Sequence, residues 1–152
     1  MPIKTKHLKK NSLFNYSPEV RTKIEKAAIQ VVVSLYQSRG YKIKDVQKDN
    51  KGWDLEASIG SNKLLLEVKG QGNHAPYIRI SRNEYEKMLQ NKDIYRLCVV
   101  INSLSEPDVY VFLNQRETIW VCEDDESIRL NINEQVAAIA TFQLIPDPPI
   151  LY

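Results

Sequence analysis

Residues 52–70 read GWDLEASIGSNKLLLEVKG, and this stretch decides the fold. Two strand-like runs, Trp53–Ile59 and Lys63–Lys69, flank Gly60-Ser61-Asn62, a triplet with the chemistry of a hairpin turn. Side chains alternate between the two faces of a strand. Asp54 and Glu56 therefore share one face, and Leu55 and Ala57 share the other. On the second run Leu64, Leu66 and Val68 lie together, opposite Glu67 and Lys69. An even loop centred on Ser61-Asn62 pairs Glu67 with Glu56 and Lys69 with Asp54. All four charged side chains then occupy one face and the aliphatic residues the other. A three-residue loop would turn Asp54 away from Glu67, so the pattern prefers the even loop.

Working outward, Ser17-Pro18-Glu19 is a helix start: a serine cap, proline in the first turn, then an acid. Val20, Ile24, Ala27, Ala28, Val31 and Leu35 follow at helical spacing, and Gly40 stops the run. This predicts a helix of about six turns. Tyr41–Gln47 reads as a strand ahead of the hairpin. After it comes a short extended piece, Tyr77–Ile80. Ser81 and Glu84 then have capping-box spacing, ahead of a helix that buries Tyr85, Met88 and Leu89. Tyr95–Ile101, Val109–Leu113 and Ile119–Val121 read as strands, and Glu134–Ala140 as a short helix. Pro146-Asp147-Pro148-Pro149 supports neither structure. The order α-β-β-β-α-β-β predicts an α/β fold, a mixed sheet flanked by helices. The expected division is a basic arm over 1–16, one domain over 17–145 and a proline-rich tail over 146–152.

The chain of 152 residues is 43% hydrophobic and 26% charged, with net charge +2 and pI near 8.4. Its longest apolar runs, near Ala27–Val33 and Leu97–Ile101, fall far short of the roughly 18 to 20 residues that span a bilayer. The basic start has no apolar signal core behind it, so the expectation is a cytoplasmic protein. Cys98, inside an apolar run, reads as a core residue. Cys122, His7 and His74 are too scattered to build a closed zinc site with it. Lys4, Lys6, His7, Lys9 and Lys10 form a basic arm, and Glu123–Glu126 an acidic patch. The arm either neutralises phosphates or simply aids solubility.

Carboxylates crowded on neighbouring strands repel and raise one another's pKa until a cation neutralises them. Aspartate and glutamate oxygens suit Mg²⁺ or Mn²⁺, which in turn suit phosphate oxygens. A lysine beside them supplies a point charge for an attacking water or for charge developing in a transition state. Asp54, Glu67 and Lys69 thus read as a metal-dependent phosphodiesterase centre, against the plainer reading of paired charges on a solvated sheet. Glu25 falls within the apolar arc of the first helix, where it needs a partner. That partner is a lysine, a metal-bound water or Arg21.

Three segments taken together, Ile24-Glu25-Lys26-Ala27-Ala28, Gly52-Trp53-Asp54-Leu55-Glu56-Ala57 and Leu66-Glu67-Val68-Lys69-Gly70, resemble the PD-(D/E)XK, restriction-endonuclease-like superfamily. More narrowly, the chain resembles the domain at the C-terminus of the plant NO VEIN protein and in many Mrr-like bacterial restriction-type proteins. There the order continues into segments similar to Ile80-Ser81-Arg82-Asn83-Glu84-Tyr85 and Tyr95-Arg96-Leu97-Cys98-Val99-Val100. The resemblance spans roughly residues 17–113 and implies an αβββαβ core. It implies that Asp54, Glu67 and the Val68 carbonyl hold Mg²⁺ (or Mn²⁺), that Lys69 positions the water, and that Glu25 is the helix acid beside the metal. Gln71 matches a polar position in Mrr-like members and is thereby a candidate to touch nucleic acid. The proline of the superfamily name is absent, since Trp53 precedes Asp54.

His74, Arg79, Arg82 and Arg96 are candidates to touch phosphate, or members of a solvated face. Trp53 and Trp120 read as packing residues. The functional expectation is a nuclease acting on nucleic acid, DNA first, in defence, repair or mobile-element settings. A binding or assembly module that kept the fold without catalysis is the alternative, and a junction resolvase, which would need a dimer, the third. With no separate recognition motif in the sequence, target choice would fall to a homodimer or a partner subunit.

Overall fold

The computed structural model describes residues 16–75 and 77–135. Helix α1 spans Pro18–Ser38, strand β1 Lys42–Asp45, β2 Leu55–Ile59, β3 Asn62–Gly70, helix α2 Arg82–Gln90, β4 Tyr95–Ile101, β5 Asp108–Arg116 and β6 Ile119–Cys122. A short 3₁₀ turn, Gln47–Asp49, follows β1. The six strands lie in the order β1 to β6. β3 and β4 are parallel, joined by the crossover through α2, and every other neighbouring pair is antiparallel. This is the expected α/β architecture.

α1 begins as its sequence dictates. The Ser17 hydroxyl accepts a hydrogen bond from the Val20 amide at 3.3 Å, Pro18 occupies the first turn, and Gly40 ends the helix at φ +89°. Ile24, Ala28, Val32 and Tyr36, four apart, form its buried stripe. Ala28, Val32 and Tyr36 pack on Leu55, Ala57, Leu66, Cys98, Val100 and Val111, which share one face of the sheet. α2 covers the other face, where Met88 meets Leu65, Tyr95 and Trp120. The α2 cap is complete in both directions: the Glu84 amide donates to the Ser81 hydroxyl at 3.1 Å, and the Ser81 amide donates to the Glu84 carboxylate at 2.9 Å. Cys98 is fully buried, and both tryptophans pack in or against the core beneath α2.

The β2–β3 hairpin corrects the expected register. Ile59 pairs with Asn62 and Leu55 with Leu66, so the loop is Gly60-Ser61, one position earlier than expected. Gly60 adopts φ +57°, the left-handed conformation that a two-residue hairpin with glycine first requires. Glu56 now faces Leu65, not Glu67. A shift of two in pairing leaves every side chain on its face, so the charged face survives the error.

Other differences are local. β1 is shorter than Tyr41–Gln47 because the Asp45 carboxylate accepts the Gln47 amide at 3.0 Å and turns the chain. Tyr77–Ile80 joins no strand. Of the helix expected over Glu134–Ala140, Glu134 and Gln135 are not helical and the rest lies outside the described residues, as do residues 1–15 and the proline-rich tail. Among the described residues no helix is long and apolar enough to cross a membrane.

Gly70, at the end of β3, lets α1 sit directly on the sheet. A Cβ there would lie 2.7 Å from the Ala28 Cβ and 3.2 Å from the Ile24 carbonyl oxygen. Neither atom can swing aside, so Gly70→Ala is expected to push α1 outward at a cost of about 1–3 kcal/mol. Urea unfolding checks this; an unchanged midpoint would mean that α1 is free to shift.

Candidate active site

Asp54 sits just before β2, at the end of a loop shaped by two left-handed residues, Asn50 at φ +49° and Gly52 at φ +91°. The loop is anchored from beneath. The Tyr95 hydroxyl, buried against Trp120, donates to the Gly52 carbonyl at 2.8 Å. Asp54 then hydrogen-bonds into β3 on both sides of its Cα: its amide donates to the Leu66 carbonyl at 2.8 Å, and its carboxylate accepts from the Val68 amide at 2.9 Å. Glu67 and Lys69 project from the same strand towards the α2 face, because Leu66, Val68 and Gly70 are turned to α1.

Lys69 is shared between two acids. Its ammonium lies 3.1 Å from a Glu67 oxygen and 2.7 Å from a Glu84 oxygen. That Glu84 oxygen also accepts the Ser81 amide, so one carboxylate caps α2 and tethers the lysine. Glu67 is only 5% exposed. Burial, reinforced by the negative charge of Asp54, pushes its carboxyl up to about 8 despite the nearby lysine. Burial also raises Asp54, an effect that the Val68 amide and Lys69 only partly offset. Glu84 behaves oppositely: burial would raise it, but the hydrogen bond from Lys69 holds it below the usual carboxylate range. Burial alone would lower Lys69, yet Glu67 and Glu84 outweigh it and keep the ammonium charged.

Glu56, expected in the same cluster, belongs to another one. It is buried, and its carboxylate pairs with Lys63 at 2.6 Å and Lys51 at 3.4 Å. Burial pushes it up, but those two ammonium groups bring it below its ordinary value. Glu25 is exposed and not on the packing face of α1, since the buried stripe runs through Ile24 and Ala28. It lines a groove that Lys69 also lines. Arg79 lines that groove too, as does Gln71.

Gln71 is a loop clamp. Its amide nitrogen donates to the Tyr77 carbonyl at 2.8 Å and its amide oxygen accepts the Ala75 amide at 3.0 Å. His74 is exposed on that loop. Arg82 is exposed on α2 and pairs with Glu86 at 3.1 Å. Arg96 donates to the Asp93 and Tyr95 carbonyls, each at 3.1 Å, closing the turn before β4.

Glu84 and Tyr95 are the residues the sequence concealed. A capping box fully accounts for Glu84, so nothing in the local pattern signals its second partner across the fold. Tyr95 reads simply as the first residue of a strand.

The donor set suits a hard divalent cation. Asp54 and Glu67 offer carboxylate oxygens, and the Val68 carbonyl lies on the same edge of β3 as the amide that Asp54 accepts. Among the described residues no group of three or more His, Cys, Asp or Glu side chains could hold an ion. Asp54, Glu67 and the Val68 carbonyl would be the residues to hold such an ion, with waters as its other ligands. A cation bound by Glu67 would have to displace the proton that burial and Asp54 favour there.

A family model described as Protein NO VEIN, C-terminal, matches residues 24–112, from the second turn of α1 to β5. No curated protein and no solved structure matches the chain.

Proposed function

We propose that this chain, which belongs to the family of the NO VEIN C-terminal domain, is a metal-dependent phosphodiesterase acting on nucleic acid, DNA first. The observation that carries the reading is the meeting of Asp54, Glu67 and Lys69 on one buried face, two acids and one ammonium held by Glu84. The cluster resembles the PD-(D/E)XK centre in its residue types and in its place at the β2–β3 hairpin. A divalent ion bound by Asp54, Glu67 and the Val68 carbonyl would supply Lewis acidity to a phosphoryl oxygen and acidify a water.

The protein's own residues supply the rest. The Val68 amide fixes the Asp54 carboxylate, leaving its other oxygen for a ligand. Glu84 holds Lys69 in place and charged, so that its ammonium can stabilise negative charge on a phosphate without being deprotonated. Tyr95 holds the loop that delivers Asp54.

A second reading, a non-catalytic binding module, draws on one observation: Lys69 already pairs with both Glu67 and Glu84. Such a cluster neutralises itself without an ion. Calorimetry with Mn²⁺ separates the two. The nuclease reading expects about one site in the wild type, lost in both Asp54→Ala and Glu67→Ala, and metal-dependent cleavage of single-stranded or branched DNA. Absence of binding, with or without DNA present, would leave the module.

A further inference from the structure

Beside the cluster lies a groove of about 360 Å³ between the first turns of α1 and the loop that follows β3. Lys69 is among the residues that line it. Arg21, from α1, and Arg79, from the loop, line it as well, against a single acid, Glu25. Arg21 and Lys69 bring basic side chains to it, Lys69 shared with Glu67 and Glu84.

Its remaining feature is aromatic. Tyr77 is 67% exposed, unusual for so large a ring, and it lines the same groove. The backbone beneath it is not loose. Gln71 grips the Tyr77 carbonyl and the Ala75 amide with the two ends of its side chain. Gln71 is itself held to the sheet end, its own amide donating to the Val100 carbonyl at 2.8 Å and its carbonyl accepting the Ser103 amide at 2.9 Å. An exposed ring on a held backbone offers a face on which a base can stack.

We propose that this groove binds an unpaired stretch of nucleic acid, one base stacked on Tyr77 and the adjoining phosphates against Arg21 and Lys69. The inference rests on the phosphodiesterase reading for what happens next, since it delivers a phosphodiester to Lys69. It favours single strands. A base inside a duplex is already stacked on its neighbours, whereas an unpaired base has a free face for the ring.

The test is fluorescence anisotropy with end-labelled single strands, oligo-dT and oligo-rU, and a hairpin duplex, all in EDTA so that nothing is cut. The single strand is expected to bind at least tenfold tighter than the duplex, and the tighter of the two sugars identifies the preferred backbone. Tyr77→Ala should weaken single-strand binding by about tenfold or more, while Tyr77→Phe retains it. Arg21→Gln should lower the salt slope by about 0.7, and Glu25→Gln should tighten binding. Equal affinity for duplex and single strand, or no effect of Tyr77→Ala, overturns the proposal. Metal-dependent cleavage with an indifferent Tyr77 would sink the groove and leave the nuclease. Tyr77-dependent binding without any divalent-ion site would leave the groove and sink the nuclease.

Discussion

Glu67→Gln is expected to make the metal-free protein more stable at pH 8 and to abolish divalent-ion binding. The folded protein keeps a proton on Glu67 up to about pH 8, whereas an unfolded glutamate releases it near 4.5. Below that lower value both states hold the proton and the stabilising contribution is fully present. As pH climbs from there towards 8 the unfolded state alone ionises, and stability falls by about 1.4 kcal/mol per pH unit. Above the folded value the loss is complete. Lys69 and Glu84 are coupled to Glu67, so the total is on the order of a few kcal/mol.

Glutamine never ionises and escapes this loss. The variant should match the wild type near pH 4 and melt several degrees higher at pH 8, about 2–4 °C for each kcal/mol. Mn²⁺ should reverse the ranking, because it binds the ionised wild-type carboxylate and stabilises by mass action. Calorimetric melts at the two pH values, with and without Mn²⁺, read all of this at once. Parallel pH profiles for the two proteins would show that Glu67 ionises normally and that the cluster needs no cation.

Lys69→Met should act in the opposite sense on stability. It removes the ammonium that lies 3.1 Å from Glu67 and 2.7 Å from Glu84, leaving both carboxyls half or fully buried without a cation. Breaking a buried pair from one side costs about 3–5 kcal/mol. The partial exposure of Glu84 brings the expectation down to about 2 kcal/mol, largest above pH 8, where Glu67 is also charged. Cleavage should fall by about 10²–10³, the usual effect of losing one preorganised charge at a reacting oxygen. Adding Glu67→Gln to Lys69→Met should restore part of the stability and none of the cleavage. If the single variant lost activity only in proportion to its unfolding, Lys69 would be a structural cation.

The face of this cluster is legible in the sequence. Asp54, Glu67 and Lys69 fall on one side because a strand has a period of two, and a pairing shifted by two residues from the expected one leaves them there. The pattern groups Glu56 with them because it knows faces and not distances; Lys51 and Lys63 claim it instead. Glu25 lies off the packing face: the apolar arc of α1 is wide on a helical wheel, while the buried stripe follows every fourth residue. Gln71, a candidate nucleic-acid contact by its sequence, also clamps its own loop, a role that depends on a path no local propensity sets.

The helix starts, the hairpin and the two faces of the sheet are written in local sequence. Each follows from interactions within a few residues: a serine cap, a proline, a left-handed glycine, an alternation of side chains. Tertiary contacts alone bring Glu84, fifteen positions beyond Lys69, to that lysine, seal Glu67 from water, and hold the Tyr77 backbone beside a groove that Arg21 and Lys69 line. Those properties belong to the crossover of α2 over β3 and to the loop tied down at the end of β4. Desolvation and long-range ion pairing exist only once separate segments are brought together, so no window of sequence contains them.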